Sequence, residues 1–101
     1  MRKIDIDAKQ FHNKESMSQY LSELFQFPDY FGGNLDAAFD LLNEVEETTI
    51  LYFDRDNMKE MLEEEYAYKS LRMLMEACMN NPNLRMKLRK YTFEKQQEAL
   101  K

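Results

Sequence analysis

The chain has 101 residues and a mass of 12.2 kDa, a size typical of one domain with a single modest core. Hydrophobic residues make up 44% of the sequence and charged residues 33%, a composition that excludes a disordered segment and a membrane protein. The net charge of −5 at pH 7 argues against direct nucleic-acid binding, and the single cysteine, Cys78, excludes an internal disulfide and a cysteine-based zinc site.

The N-terminal residues and the lengths of the apolar runs indicate where in the cell the protein is expected. Asp5 and Asp7 occur where a secretory leader requires an apolar stretch. The longest apolar runs, such as residues 50–53, are far shorter than the roughly 20 residues of a membrane span. We therefore expect a reduced, cytoplasmic protein that does not contact a membrane.

The first half of the chain predicts a strand followed by two helices. Residues 2–7 alternate between charged and isoleucine side chains, a pattern typical of a short strand. Residues 14–26 place apolar side chains at helical spacing, and Pro28 excludes the residue before it from the helix. The loop DYFGGN then contains both glycines of the chain, and its last residue, Asn34, is a good cap for a second helix, LDAAFDLLNEVEE.

The second half of the chain predicts two more strands separated by helical sequence. A buried strand at residues 48–53 is followed by a turn at residues 54–57 and by one or two helices at residues 58–79. A helix-breaking cluster at residues 80–83 then precedes an alternating strand at residues 84–89. The helical pattern is interrupted near residues 63–66, which leaves open whether one helix or two form there.

The order of these elements predicts the fold class. Strands joined by helical crossovers pair most simply in parallel, with right-handed connections. The apolar run of residues 48–53 fits the centre of the sheet, and the two charged strands fit its edges. We expect an α/β fold with a three-stranded parallel sheet, order 1-2-3, packed with three to four helices. Residues 1–91 would form one domain and residues 92–101 a polar C-terminal tail.

Negative charge is concentrated in the middle of the chain. Residues 29–65 carry twelve carboxylates against the two basic residues Arg55 and Lys59, a net charge of −10. A helical projection of residues 35–47 groups four polar side chains on one stripe, namely Asp36, Asp40, Asn43 and Glu47. Such a stripe beside a glycine loop is typical of a surface that binds cations, and equally of an ordinary solvated helix.

The stretch FPDYFGGNLDAAFDLL, residues 27–42, resembles the signature of the barstar family of ribonuclease inhibitors. The element order of residues 1–91 is also similar. The resemblance implies a protein without catalytic activity whose acidic loop and helix mimic RNA phosphate and block the active site of a basic ribonuclease. The positions that it assigns to partner binding are Tyr30, Gly32, Asn34, Leu35, Asp36, Phe39, Asp40 and Glu76.

The charge chemistry of such an inhibitor assigns roles to four of these residues. Asp40 is expected to be the deepest acceptor, paired with an arginine, while Asp36 contacts basic groups nearer the rim. Tyr30 and Phe39 would add apolar contact area and exclude water. Members of the family typically have tryptophan at the position of Phe39 and a glycine–aromatic pair at Glu44–Val45. Both departures remove contact surface, so the cognate enzyme can differ from barnase.

The expected partner is a basic extracellular-type or toxin ribonuclease similar to barnase. We expect the free protein to be a monomer with no cofactor, no metal and no bound nucleic acid. One alternative is an acidic interaction module, or an antitoxin for a partner that is not a ribonuclease. The other is a metal-dependent hydrolase with Asp36, Asp40 and Glu44 as oxygen ligands, although that hypothesis lacks a convincing general base.

The remaining candidates have structural interpretations. His12 and Cys78 have no partner at catalytic or ligand spacing, which favours a structural or incidental role for both. The methionines, which include Met58, Met61, Met73 and Met75, are interpreted as core residues. A groove that adapts to a partner is the alternative for them.

Overall fold

The computed structural model describes residues 1–89, which form three strands and four α-helices. The elements are, in chain order, β1 (Arg2–Asp5), a 3₁₀ helix (Ala8–Phe11), α1 (Lys14–Phe25), α2 (Leu35–Leu42), β2 (Thr49–Asp54), α3 (Arg55–Glu63), α4 (Glu65–Asn80) and β3 (Leu84–Arg89). The strands pair in the order β1-β2-β3, and both pairs are parallel. The predicted α/β fold and strand order are therefore confirmed. The predicted tail, residues 92–101, lies outside the described residues.

β2 lies at the centre of the sheet, and its position explains its apolar sequence. Every residue of β2 except Tyr52 is buried. Leu51 is in register with Ile4 of β1 on one side and with Met86 of β3 on the other. By contrast, β1 and β3 each bury a single residue, as expected of edge strands that carry alternating charged side chains.

The hydrophobic core draws side chains from every strand and every α-helix. The largest fully buried apolar side chains are Phe11, Met17, Leu21, Leu42, Leu51, Phe53, Met61, Leu74 and Leu84. From α2, Ala38 and Leu42 enter this core at helical spacing. As a consequence, Asp36 and Asp40 of the same helix are exposed on its other side.

The second helix is shorter than its sequence predicts. α2 ends at Leu42, so the predicted stripe loses Asn43, which caps the helix, and Glu47, which lies beyond it. A side chain from the other half of the chain explains the early end. Asn81 Nδ2 donates to the carbonyl oxygens of Leu42 at 2.9 Å and of Val45 at 3.0 Å, which satisfies acceptors that a longer helix would use internally.

Two acidic side chains set the helix boundaries that follow β2. Asp54 Oδ1 accepts a hydrogen bond from Asn57 N at 2.7 Å, so α3 begins directly after the strand and the predicted turn at residues 54–57 is wrong. Glu64 has an extended backbone and accepts from Ala67 N at 2.9 Å. This cap separates α3 from α4 and accounts for the interruption seen in the sequence. No helix within residues 1–89 is long and apolar enough to cross a membrane.

The methionine prediction is partly wrong. Met61 and Met73 are buried in the core as expected. Met75 is 46% exposed and Met79 is 83% exposed, both on the outer side of α4. The sequence pattern did not separate these two from the core methionines because all of them occur in strongly helical sequence.

His12 and Cys78 differ in their surroundings. His12 Nε2 lies 2.8 Å from Glu60 Oε2, so this histidine has an acidic partner on α3 that the sequence did not indicate. Cys78 is half-buried, and burial raises the pKa of its thiol to about 11. A thiol that stays protonated at neutral pH is a poor nucleophile, which agrees with a structural role.

Candidate partner-binding site

The glycine loop between α1 and α2 is fixed by a close approach to α1. Gly33 has φ +75°, a conformation that L side chains rarely adopt. Ser18 Oγ of α1 donates to the Gly33 carbonyl oxygen at 2.7 Å, and a Cβ added at Gly33 would lie only 3.2 Å from that hydroxyl. Gly32 is exposed, and a Cβ there would meet Asn34 Nδ2 at an ordinary 3.6 Å. Contacts within the described residues therefore require glycine at position 33 and not at position 32.

Asn34 connects this loop to α2. Its backbone is extended, and its Oδ1 accepts a hydrogen bond from Ala37 N at 2.7 Å. The side chain thus satisfies one of the free N–H groups at the start of the helix. Asn34 is exposed, but its acceptor is used by the cap, so its first role is to set the direction in which α2 leaves the loop.

The exposed edge of α2 presents two carboxylates and a half-buried aromatic ring. Asp36 lies in the first turn, where the helix dipole favours negative charge, and Asp40 lies one turn later. Phe39 packs against the core and remains partly accessible. Within residues 1–89 the carboxylates of Asp36, Asp40 and Glu76 form no hydrogen bond and no ion pair. In the described part of the chain, no cation pairs directly with these three carboxylates.

An open cleft of about 390 Å³ is lined by side chains of α2 and α4. The side chains that line it are Leu35, Asp36 and Phe39 from α2 and Lys69, Arg72, Met73 and Glu76 from α4. The cleft therefore combines Asp36 with Glu76, which is distant in sequence, and its lining also includes apolar side chains. Its wall is mixed in charge, because α4 contributes two basic residues as well as one acidic residue.

Comparison with protein families identifies the chain. The family model described as Barstar (barnase inhibitor) matches residues 1–92. The chain belongs to the barstar family. A protein of Bacillus subtilis (strain 168) named "Putative ribonuclease inhibitor YrdF" is 50% identical over 42 residues. That match covers 42% of this chain and 46% of the relative, so this chain spans less than half the length of the curated relative it matches.

The positions that the barstar resemblance assigns to partner binding fall into two groups. Four of them, Leu35, Asp36, Phe39 and Glu76, line the cleft between α2 and α4. The other four lie outside it, on the loop or on the outer edge of α2; these are Tyr30, Gly32, Asn34 and Asp40. Tyr30 is the most accessible aromatic side chain of the loop, with 78% of its surface exposed. Both groups face solvent, and α2 contributes to each of them.

Sequence reasoning missed Lys69 and Arg72. The sequence did contain a signal for them, because residues 69, 72 and 76 share one face of a helix at spacings of three and four. A surface that mimics phosphate predicts carboxylates, so basic side chains are not expected within it.

Glu44 lies apart from the carboxylates of the cleft. It lines a smaller depression of about 200 Å³ together with Phe25, Phe27 and Val45, among others. Within residues 1–89 no group of three or more histidine, cysteine or acidic side chains is arranged to hold a metal ion. The structure therefore does not gather Asp36, Asp40 and Glu44 into the ligand set that the hydrolase alternative requires.

Proposed function

We propose that this chain is a non-catalytic protein inhibitor that blocks the active site of a basic ribonuclease. The binding surface would consist of the loop from Tyr30 to Asn34, the exposed edge of α2, and Glu76. The observation that carries the proposal is the convergence of Asp36 and Glu76 in one open cleft beside Phe39. Membership of the barstar family supports the same function.

The mechanism follows from the chemistry of ribonuclease active sites. Such a site gathers arginine, lysine and histidine side chains that hold a phosphodiester, and a carboxylate offers oxygens of the same charge and similar geometry. Asp40 would pair bidentately with an arginine of the enzyme, and Asp36 would contact basic groups nearer the rim. Neither carboxylate forms an ion pair within residues 1–89, so the enzyme would not have to break an ion pair within that part of the chain.

The apolar residues of the surface would strengthen these ion pairs. Leu35 and Phe39 are only partly buried and lie beside the carboxylates of α2. When an enzyme covers them, they exclude water and lower the local dielectric, which increases the attraction between charges. Tyr30 would extend the apolar contact from the loop.

The proposal includes the state and location of the protein. Residues 1–91 would act as one domain, monomeric when free, in a reducing cytoplasm where a lone thiol such as Cys78 persists. The enzyme would be a basic extracellular-type or toxin ribonuclease, which the cell must neutralise before it is exported or after it enters.

An inhibition assay tests the proposal. The wild-type chain is titrated against barnase and against purified basic ribonucleases of the source organism, and inhibition is compared with that of the Asp40→Asn variant. We expect wild type to inhibit at least one of these enzymes stoichiometrically. Loss of one member of a buried ion pair costs about 3–5 kcal/mol, so Asp40→Asn should weaken inhibition by about two to four orders of magnitude.

The matched control is Glu63→Gln, which removes the same charge from an exposed position outside the loop, α2 and the cleft. It should inhibit as wild type does. Circular dichroism establishes that both variants are folded. Undiminished inhibition by Asp40→Asn would overturn the assignment of α2, and failure of wild type against every basic ribonuclease tested would overturn the function.

A further inference from the structure

The outer side of α4 carries a stripe of large side chains that the core does not use. Tyr68, Met75 and Met79 are 43%, 46% and 83% exposed, and Arg72 is exposed among them. The four residues follow one another at spacings of four, three and four, so they form a single line about 16 Å long on the helix. We call this line the α4 stripe.

The opposite side of α4 already supplies the core. Ala67, Leu71, Leu74 and Ala77 are buried there, together with Ser70. Packing in the fold therefore does not explain the apolar residues of the stripe. Single exposed apolar residues are ordinary, whereas several aligned on one helix are typical of an interaction surface. Methionine suits such a surface because its flexible thioether adapts to the shape of a partner.

The α4 stripe is continuous with the cleft between α2 and α4. Arg72 belongs to both, since it lies in the stripe and also lines the cleft. Glu76, which lines the cleft, is the sequence neighbour of Met75. A partner that covers Asp36 and Glu76 would therefore be adjacent to the stripe.

The positive charge of Arg72 bears on which groups a bound partner would place opposite it. Lys69 lies 3.5 Å from Glu65, one turn earlier on the same helix. In residues 1–89 no carboxylate forms an ion pair with Arg72. An arginine without a direct ion pair in the described residues would be repelled by basic groups of an enzyme that lie opposite it. A carboxylate of the partner at this point would pair with Arg72 and remove that repulsion.

We propose that the α4 stripe is a second part of the inhibitory surface, occupied by the same ribonuclease. Its complement would be an apolar patch at the edge of the basic active site, bordered by a carboxylate that pairs with Arg72. This inference rests on the proposed function. It narrows the partner to ribonucleases whose active-site rim has both features, and it makes Arg72 a residue that determines which enzyme is bound.

Charge reversal at Arg72 tests the inference, because the inference predicts that the variant inhibits the enzyme more weakly, and not more strongly, than wild type. The enzyme inhibited by wild type is titrated with Arg72→Glu and with the control Arg85→Glu, an exposed position on β3. Opposing like charges cost several kcal/mol, so Arg72→Glu should weaken inhibition by about thirtyfold or more. Arg85→Glu makes the same change in net charge and should leave inhibition within about twofold of wild type.

A second pair of variants tests the apolar part of the stripe. Met75→Ser should weaken inhibition by about tenfold, the loss expected when one apolar side chain no longer contributes its burial. Leu62→Ser removes a comparably exposed apolar side chain from α3 and serves as the control, with no change expected. Urea unfolding checks that each variant keeps the stability of wild type.

Three results would overturn the inference. Inhibition by Arg72→Glu that equals or exceeds that of wild type would mean that the facing surface lacks the carboxylate. Wild-type inhibition by Met75→Ser would mean that the stripe stays uncovered. A dimer of the free chain in sedimentation, dissociated by Met79→Ser, would assign the stripe to a second copy of this chain. In each case a loss of inhibition by Asp40→Asn would still support the proposed function, so the two failures are distinguishable.

Discussion

Adjacent glycines in the loop before α2 illustrate how one residue type serves different purposes. Gly33 needs its positive φ and its closeness to Ser18, both of which are internal to the fold. Gly32 is exposed and has room for a side chain. A glycine that the contacts within residues 1–89 do not require is consistent with a place where a partner approaches the backbone.

Alanine substitutions separate these two purposes. Gly33→Ala should destabilise the protein by about 1–2 kcal/mol, because an alanine at positive φ is strained. Gly32→Ala should change the free energy of unfolding by less than about 0.5 kcal/mol and still weaken inhibition. Urea unfolding and inhibitor titration measure the two effects. Full inhibition by Gly32→Ala would remove Gly32 from the proposed surface.

The pKa of Cys78 predicts how stability depends on alkaline pH. Burial raises this pKa from its usual 9.0 to about 11, so the unfolded chain releases the thiol proton at a lower pH than the folded protein. Between these values the unfolded state binds fewer protons at this thiol, so the contribution of Cys78 to the free energy of unfolding falls as pH rises. Cys78→Ala should show a shallower fall from pH 9 to pH 11 in urea unfolding. Equal slopes for the two proteins would contradict this account.

At the scale of elements, Asn81 fixes the end of α2 from across the sequence. Its buried side chain donates to two carbonyl oxygens, and its Oδ1 accepts from Asn83 N at 2.9 Å. Val45 O also accepts a hydrogen bond from Asn83 Nδ2 at 3.2 Å. The segment after α2 and the segment before β3 therefore share one hydrogen-bond network. This network helps to position the helix that carries Asp36 and Asp40.

Removal of this amide should weaken the whole fold. Asn81→Ala leaves the Leu42 carbonyl without its donor from Asn81, and we expect a loss of about 2–3 kcal/mol in the free energy of unfolding. Asn80→Ala, one residue earlier and exposed, should change it by less than about 0.5 kcal/mol. Chemical denaturation compares the two. A similar stability for both variants would show that the network contributes little.

Local patterns predicted the elements well, and contacts distant in sequence explain where prediction failed. The apolar run of β2 and the alternation in β1 and β3 were sufficient for the sheet and its order. The end of α2 was not predictable, because it depends on Asn81. The 3₁₀ helix after β1 was not predicted at all, although Asp7 caps it by accepting from Lys9 N.

The candidate site was predictable only where its residues are close together in the sequence. The loop and α2 are contiguous in sequence, so their polar edge was visible in a helical projection of residues 35–47. The contribution of α4 depends on how two helices pack. Only Glu76 was anticipated there, through the family resemblance, whereas Lys69 and Arg72 became apparent once the cleft was described.

For the whole molecule, the uneven distribution of charge predicts how fast a partner binds. Residues 29–65, which include the glycine loop and α2, carry a net charge of −10 from twelve carboxylates against two basic residues. This charge should accelerate encounter with a basic enzyme. The association rate constant should fall by about tenfold or more between low salt and roughly 0.3 M salt, because screening shortens the reach of the attraction.

Stopped-flow association at several salt concentrations measures this effect. The dissociation rate should change much less, since the ion pairs in the complex are shielded from solvent. Asp36→Asn should reduce the salt dependence, while Arg85→Glu, which adds negative charge on β3, should not. An association rate that is independent of salt would mean that the acidic surface does not guide the encounter.

The central claim is that the carboxylate edge of α2 occupies the place of RNA phosphate in a ribonuclease. The crystal structure of the complex with the inhibited enzyme tests it most directly. We predict that Asp40 forms a bidentate pair with an active-site arginine, with Asp36 against basic residues nearby. A complex in which both carboxylates face solvent and another surface of the chain covers the enzyme would contradict the claim.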